Sequence, residues 1–394
     1  MTWFVGLDLL DVGGLRHDIA IGLDDRGGVV TKPFDTQRGT DLARDGQRAL
    51  VTPGLIDLQV NGGAGRLLGD CTDVAAIHAM SAAHWATGTA AILPTLISDS
   101  PSTTQRVIAL VAQAQKTDPS LLGLHLEGPH LAVAGAHDPA MLRPLTDADL
   151  DLYAKARARL GRVMITLAPE IVPPDQIAAL TRAGIIVALG HTACDHDQAC
   201  AAYAAGAVMA THLYNAMSGL GHRAPGLVGA TLDQGRPYGL IADGVHVHPA
   251  ALRIALAASP DAAVLVSDAM ALTGSAQDRF TLARQPVYRR NGRLERADGT
   301  LAGADLTLWR RSRTLPVGRV ARSAIWRPWP MPRRLASWAT AHTRPLPALW
   351  SGTRAKPPRA STAAGLCRLH RSKAPDRPRH LWRWSQPWPR HPRP

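Results

Sequence analysis

The sequence predicts an α/β chain organised as a (β/α)8 TIM-type barrel, and three observations carry that expectation. From residue 51 onward, apolar runs of strand length alternate with amphipathic or Ala-rich stretches of helix length. Eight such runs fall between residues 55 and 266, the number and order of a parallel barrel. After the first run the glycines read "NGGAG", which is not the phosphate-binding spacing that a doubly wound sheet would want there.

The runs are 55–60, 89–96, 121–126, 163–167, 185–189, 207–213, 238–241 and 263–266. The helix-like stretches between them include 73–85, 102–115, 147–160, 174–183, 195–205 and 249–258. Ahead of the barrel, residues 1–50 carry the turn signal Asp24-Asp25-Arg26-Gly27-Gly28 and predict short antiparallel strands of a separate small sheet. Beyond the eighth run, Arg289, Asn291, Gly292 and Arg293 predict a hairpin, because Asn-Gly accepts the positive φ of a tight primed turn.

The net charge of +13 over 394 residues is unevenly placed. Residues 309–394 hold 18 Arg and 2 Lys against one acid, Asp376, a balance of +19. Residues 1–308 hold 24 basic and 30 acidic residues, a balance of −6, so the barrel region has no nucleic-acid signature. The tail also carries eight of the ten Trp and fourteen of the thirty Pro, and keeps no helical or strand period. Three readings fit it: a Trp-bearing basic arm for nucleic acid, a solvated tail, or a GC-rich gene read in the wrong frame from about Trp309. The abrupt join favours the last. Irregularly spaced Cys71, Cys194, Cys200 and Cys367 predict reduced thiols, and neither a signal peptide nor an apolar run of membrane-spanning length is visible. A cytoplasmic location without membrane partners is the expectation.

In a barrel of this kind chemistry sits at the carboxyl ends of the strands. Glu127 follows run three, His191 run five, His212 run six and Asp268 run eight. Asp243, His246 and His248 follow run seven. Isolated buried hydrogen-bonding groups are the bland alternative. Two imidazoles and a carboxylate on three strand ends, with an Asp on a fourth, fit better a divalent-metal site with one open position. Such an ion lowers the pKa of a bound water towards ~7 and polarises a carbonyl. Asp268 is then the natural base for that water and the acid for a leaving nitrogen, which makes the reaction hydrolysis of an amide-like bond.

Seven segments carry a resemblance: "PGLIDLQVNGG", "GLHLEGPHLAVAGAHDP", "GHTACD", "THLYNAMSGLGHRAPGLVGA", "IADGVHVHP", "VSDAMALTG" and "DGTLAGADLTL". Together, in order and up to Leu308, they resemble the N-acetylglucosamine-6-phosphate deacetylases of the amidohydrolase superfamily. The resemblance implies hydrolysis of N-acetylglucosamine 6-phosphate, a small amino-sugar phosphate, to glucosamine 6-phosphate and acetate. It implies Glu127, His191 and His212 as metal ligands and Asp268 as catalytic acid/base. Ala136 and His137 of "AGAHDP" match the acetamido contact, with His137 on the carbonyl. Asn215, Ala216, Arg223 and His246 match sugar-phosphate contacts, and Leu301, Ala302 and Gly303 a backbone segment lining the sugar. An Arg and backbone N–H groups suit a phosphate dianion. His125, His130 and His248 receive no role.

The resemblance further implies a homodimer and a small β-sandwich made by residues 1–50 with strands from the chain's far end. It assigns 51–308 to the barrel and leaves 309–394 unmatched, where the family continues into the last barrel helix and the closing strands. The chain as written is accordingly expected to be poorly soluble or inactive, since a barrel without its last helix exposes an apolar face. Competing expectations are another amidohydrolase, such as a cyclic amidase or deaminase, and a non-catalytic vestigial protein. The first competitor usually carries His-x-His on strand one and a metal-bridging Lys on strand four; here "ITLAPE" has no Lys. Gln59 and Asn61 occupy the His-x-His positions, and amides are poor ligands for a zinc-type ion. One divalent ion per chain follows, with zinc favoured and iron(II) or manganese compatible. Gln59 and Asn61 are expected to orient the ligand shell by hydrogen bonds.

Overall fold

A computed structural model of the chain describes residues 2–308, apart from 12–13, 24–28, 44–47 and 52–53. The Arg/Pro/Trp-rich tail, the helix expected after Leu308, the sandwich's closing strands and the turn at Asp24 all lie outside the described residues. The N-terminal segment forms one mixed five-stranded sheet, from β1 (Thr2–Asp11), β2 (Gly14–Leu23), β3 (Val29–Pro33), β4 (Thr40–Asp41) and β5 (Ala49–Val51). The expectation of short antiparallel strands is half right. β1, β2 and β3 pair antiparallel, but β1 and β2 run for ten residues each, and β4 and β5 add to β1 in parallel. Leu7, Leu9, Ile21, Ala49 and Val51 bury against one another as this sheet's own core.

Eight parallel strands form the barrel, in the order β15, β14, β13, β12, β11, β10, β9, β6. The first, β6 (Leu55–Val60), is followed by a small hairpin of β7 (Gly62–Gly63) and β8 (Arg66–Leu67). The rest are β9 (Thr89–Ile97), β10 (Leu124–Glu127), β11 (Val163–Leu167), β12 (Ile186–Leu189), β13 (Met209–Ala210), β14 (Tyr238–Leu240) and β15 (Ala263–Leu265). Between them run α1 (Val74–Trp85), α2 (Pro101–Ala114), α3 (Asp147–Leu160), α4 (Pro174–Arg182), α5 (His196–Ala204), α6 (Gly226–Asp233) and α7 (Pro249–Ala258). Strand alternation divides the core. Leu124, Leu126, Val163, Ile165, Val187 and Leu189 pack outward among the helices. Leu58, Leu93, Met164, Ile186, Met209, Ile241 and Val266 pack together in a second cluster.

Two departures have physical causes. Run 207–213 yields a two-residue strand, because the backbone at His212 turns left-handed (φ 27°) and ends the extended conformation. α6 escapes the periodicity because residues Gly226 to Thr231 are all buried, leaving no polar face to mark a helix. After the barrel, β16 (Arg279–Leu282), β17 (Gln285–Arg290) and β18 (Arg293–Glu295) make a three-stranded antiparallel sheet. Its second turn is the expected Asn291-Gly292 pair, with φ of 51° and 74°.

The barrel wall is stitched unevenly. No strand ladder joins β15 to β6; an isolated parallel bridge, Val60 to Ala269, links the two sides, together with N–H groups of Asn61 and Gly62 donating to the Ala269 carbonyl.

Candidate metal centre and active site

Glu127 ends β10, and His191 and His212 follow β12 and β13 by two residues. Their donor atoms converge. His212 Nε2 lies 3.0 Å from Glu127 Oε1, His191 Nε2 lies 3.4 Å from the same oxygen, and the two Nε2 atoms are 3.1 Å apart. A cation held at 2.0–2.2 Å in tetrahedral geometry places its ligands ~3.3 Å from one another. The triangle therefore has the size of one face of such a polyhedron, and the residues fit a divalent ion. His191 and His212 reach this point only with left-handed backbones, φ 49° and 27°, and Asp268 does the same at 49°. Strained non-glycine residues gathered at one place mark a site held in shape by its surroundings.

Glu127, His137 and His191 also offer three donor atoms within 4.8 Å of one another. Hydrogen bonding separates the histidines. His191 Nδ1–H donates to the Val133 carbonyl at 2.8 Å, which frees its Nε2 lone pair. His137 Nδ1 instead faces Ser98, 3.2 Å from its backbone nitrogen and 2.8 Å from its hydroxyl, and its Nε2 lies 3.7 Å from Glu127 Oε2. His137 and His212 thus both bring an Nε2 atom to the side of Glu127 and His191.

The two strand-one amides meet two different carboxylates. Gln59 Nε2 donates to Glu127 Oε1 at 2.8 Å, and Asn61 Nδ2 donates to Asp268 Oδ1 at 2.6 Å. Both amides thus present N–H groups, not oxygens, to the centre.

Electrostatics favour positive charge here. Burial would raise the Glu127 carboxyl, but the imidazoles of His137, His191 and His212 gathered around it more than offset that and hold the group well below the usual range. Burial would lower His212, yet its bond to Glu127 lifts it above its ordinary value. Asp268 is pushed up to about 6, first by burial and then by the Glu127 charge, with His212, His246 and the Asn61 bond opposing. Beneath the site His125 is buried between the Leu58 carbonyl and the Thr166 hydroxyl, and burial pushes it down to about 4. It is a neutral spacer.

The remaining sequence-predicted residues are placed as follows. Ala136 accepts Arg296 Nη2 through its carbonyl at 2.8 Å, tying the loop after β10 to the turn after β18. Asn215 Nδ2 bonds the His212 carbonyl at 3.1 Å, and Ala216 (φ 48°) accepts Thr192 N–H through its carbonyl. His246 Nδ1–H donates to Asp243 Oδ2 at 2.6 Å, leaving Nε2 free. Leu301 bridges to Glu295, and Ala302 N–H donates to the Leu294 carbonyl. At Gly303 an added Cβ would meet Met270 at 2.3 Å and the Asp268 carbonyl at 2.9 Å, so this position needs glycine. Arg223 stands exposed between α5 and α6, and no described contact brings it to the cluster. Sequence reasoning missed Ser98, Val133 and Asp57. Ser98 is the polar residue just past β9, a place the strand-end rule would have inspected; Val133 acts through a carbonyl that every residue has.

No family model matches the chain. Among curated proteins, it is 42% identical over 263 residues to the N-acetylgalactosamine-6-phosphate deacetylase of Shewanella sp. strain ANA-3, covering 66% of each. It is 38% identical over 294 residues to the human N-acetylglucosamine-6-phosphate deacetylase, covering 69% of this chain and 70% of that one. The fold matches the crystal structure of the Pasteurella multocida N-acetylglucosamine-6-phosphate deacetylase with a TM-score of 0.76 at 28% identity, over 82% of this chain and 86% of that one. The chain spans about two thirds of the length of the curated relatives it matches. Among the described residues no helix is long and apolar enough to cross a membrane. On this similarity of sequence and fold, the chain belongs to the family of N-acetylglucosamine- and N-acetylgalactosamine-6-phosphate deacetylases.

Proposed function

We propose that the chain hydrolyses the acetamido group of an N-acetylhexosamine 6-phosphate, giving the amino sugar 6-phosphate and acetate. The observation that carries it is the tetrahedral-sized triangle of Glu127, His191 and His212 beside a buried Asp268. A divalent ion bound there, zinc by preference, supplies Lewis-acid polarisation and an activated water. Asp268, oriented by Asn61, takes the proton of the attacking water and returns it to the leaving nitrogen, so its charge is restored at the end of the cycle. His137 donates Nε2–H to the acetamido oxygen, where negative charge develops. His246, held by Asp243, and the exposed Arg223 are assigned to the sugar and its phosphate. One ion per chain is expected, because Gln59 and Asn61 turn N–H groups towards the centre. A cytoplasmic homodimer acting on a small amino-sugar phosphate, with neither membrane nor nucleic acid, completes the reading.

The gluco and galacto epimers both occur as substrates in the names of the relatives, so both are assayed. Acetate release from at least one is expected, lost on chelation and restored by zinc, iron(II) or manganese. No release from either epimer, by metal-loaded protein and by a version continuing past Leu308 in the family's pattern alike, sinks the proposal. Run in parallel, a version continuing past Leu308 in the family's pattern is expected to be more soluble and faster; equal behaviour removes the wrong-frame reading of 309–394.

His137→Ala separates donor from ligand. Zinc content is expected to stay at the parent value while kcat falls by about 10²–10³-fold. Loss of the metal instead would make His137 a ligand.

A further inference from the structure

We infer that Asp57, which the proposed mechanism does not use, is a positioning residue: it sets Gln59 against Glu127 and fixes the start of the Asp268 segment. Asp57 is fully buried, and its Oδ1 accepts two backbone N–H groups at 3.2 Å, one from Gln59 and one from Ser267. The first bond builds a bulge. Asp57 lies opposite Ile92 of β9 and Val60 opposite Pro94, so three steps on β6 face two on β9. The extra residue costs the ladder its regular donors, and side chains take them: Asp57 the Gln59 N–H, and Thr95 Oγ1 the Val60 N–H at 2.9 Å. Bulges re-aim the side chain that follows, and here that is Gln59, whose Nε2 donates to Glu127.

The second bond crosses the seam. Between β15 and β6 the strand ladder is missing, and Asp57 Oδ1 supplies one of the few ties, reinforced by Ser267 Oγ donating to the Gln59 carbonyl at 3.4 Å. Ser267 directly precedes Asp268. One oxygen thus stands one hydrogen bond from the residue that holds a metal ligand, and one residue from the catalytic acid. A carboxyl is a costly way to fill this space, because Asp57 Oδ2 is buried with no described partner. An apolar residue would fill it more cheaply. What the carboxyl adds is an acceptor for a donor from each side.

The kinetic part of the test rests on the deacetylase reading; the zinc part does not. Full-length Asp57→Ser and Asp57→Asn are compared with the parent by zinc titration and by acetate release. The serine hydroxyl sits one bond nearer the backbone and falls short of the point where Asp57 Oδ1 receives both N–H groups, whereas asparagine keeps that acceptor. For the serine variant, zinc affinity is expected to fall at least about tenfold and kcat about 10–100-fold, with KM within about threefold. The asparagine variant is expected to stay within about threefold on all three. Parent-like zinc binding and kcat in the serine variant overturn the inference, and so does an asparagine variant as damaged as the serine one. If the serine variant does not fold, Thr95→Val, which removes the bulge's other acceptor, is expected to give the same zinc and kcat losses, and parent-like values overturn the inference there too. A parent that binds zinc but releases no acetate defeats the deacetylase reading alone, and the titration still decides the role of Asp57.

Discussion

Replacing Asp268 with Asn is expected to cut kcat by about 10³-fold while zinc content and KM stay near the parent values. The amide keeps the size of the carboxyl but cannot accept and return a proton. Steady-state acetate release with metal analysis on the same samples checks it; a loss confined to KM, or a variant without metal, would remove Asp268 from proton transfer. The pH dependence has a defined sign. Catalysis needs the ionised form, and burial with the Glu127 charge pushes Asp268 up to about 6. A bound cation can only lower that value, so the acid limb of kcat/KM is expected at or below pH 6 in the parent. Stability moves the opposite way. A carboxyl whose pKa is raised on folding binds its proton more tightly in the native state, so its ionisation destabilises the fold above that pKa. Metal-free Asp268→Asn is therefore expected to have a higher Tm than the metal-free parent above pH 6. The gap should close as pH falls towards the ordinary value of 3.8.

His212→Ala is the second large effect. Zinc affinity is expected to fall by more than the about 10–100-fold typical of losing a group that only orients a ligand, and acetate release to fall below a hundredth of the parent's. The contrast with His137→Ala, expected to keep its zinc, makes the pair diagnostic. Zinc retained at parent affinity by His212→Ala would break the assignment of the triangle. Without metal, His212 sits above its ordinary value because it shares a proton with Glu127. That stabilisation is full below pH 6.5 and is lost as pH rises past the raised value, so the metal-free variant should lag its parent most in acid.

The strands were legible because each is a bounded apolar run, and the residues at their ends stood out because polar residues closing buried strands are few. Glu127, His191, His212 and Asp268 could be picked out as strand-end residues. What that reading lacked is direction. Nothing in "GHTACD" announces that His191 must adopt φ 49° to turn inward, nor in "THLYN" that His212 ends its strand after Ala210. The division of labour between His137 and His191 depends on which ring nitrogen bonds Ser98 N–H and which the Val133 carbonyl, partners 39 and 58 residues away. α6 was illegible for a different reason, since burial all round erases periodicity. Gln59 and Asn61 shared a face by alternation, but that they serve separate carboxylates, Glu127 and Asp268, is a product of barrel closure.

That closure orders the assembly in time as well as in space. Glu127 and His212 are 85 residues apart in the chain, whereas Asn61 and Asp268 are 207 apart. Joining the distant pair costs ~0.8 kcal/mol more in loop entropy, and it must happen across the one wall that no ladder zips. The Glu127–His212 pair can therefore form while the first and eighth strands are still apart. The Asn61–Asp268 pair comes together only with the last stitch, so the four strand-end residues share one pocket only in the closed barrel.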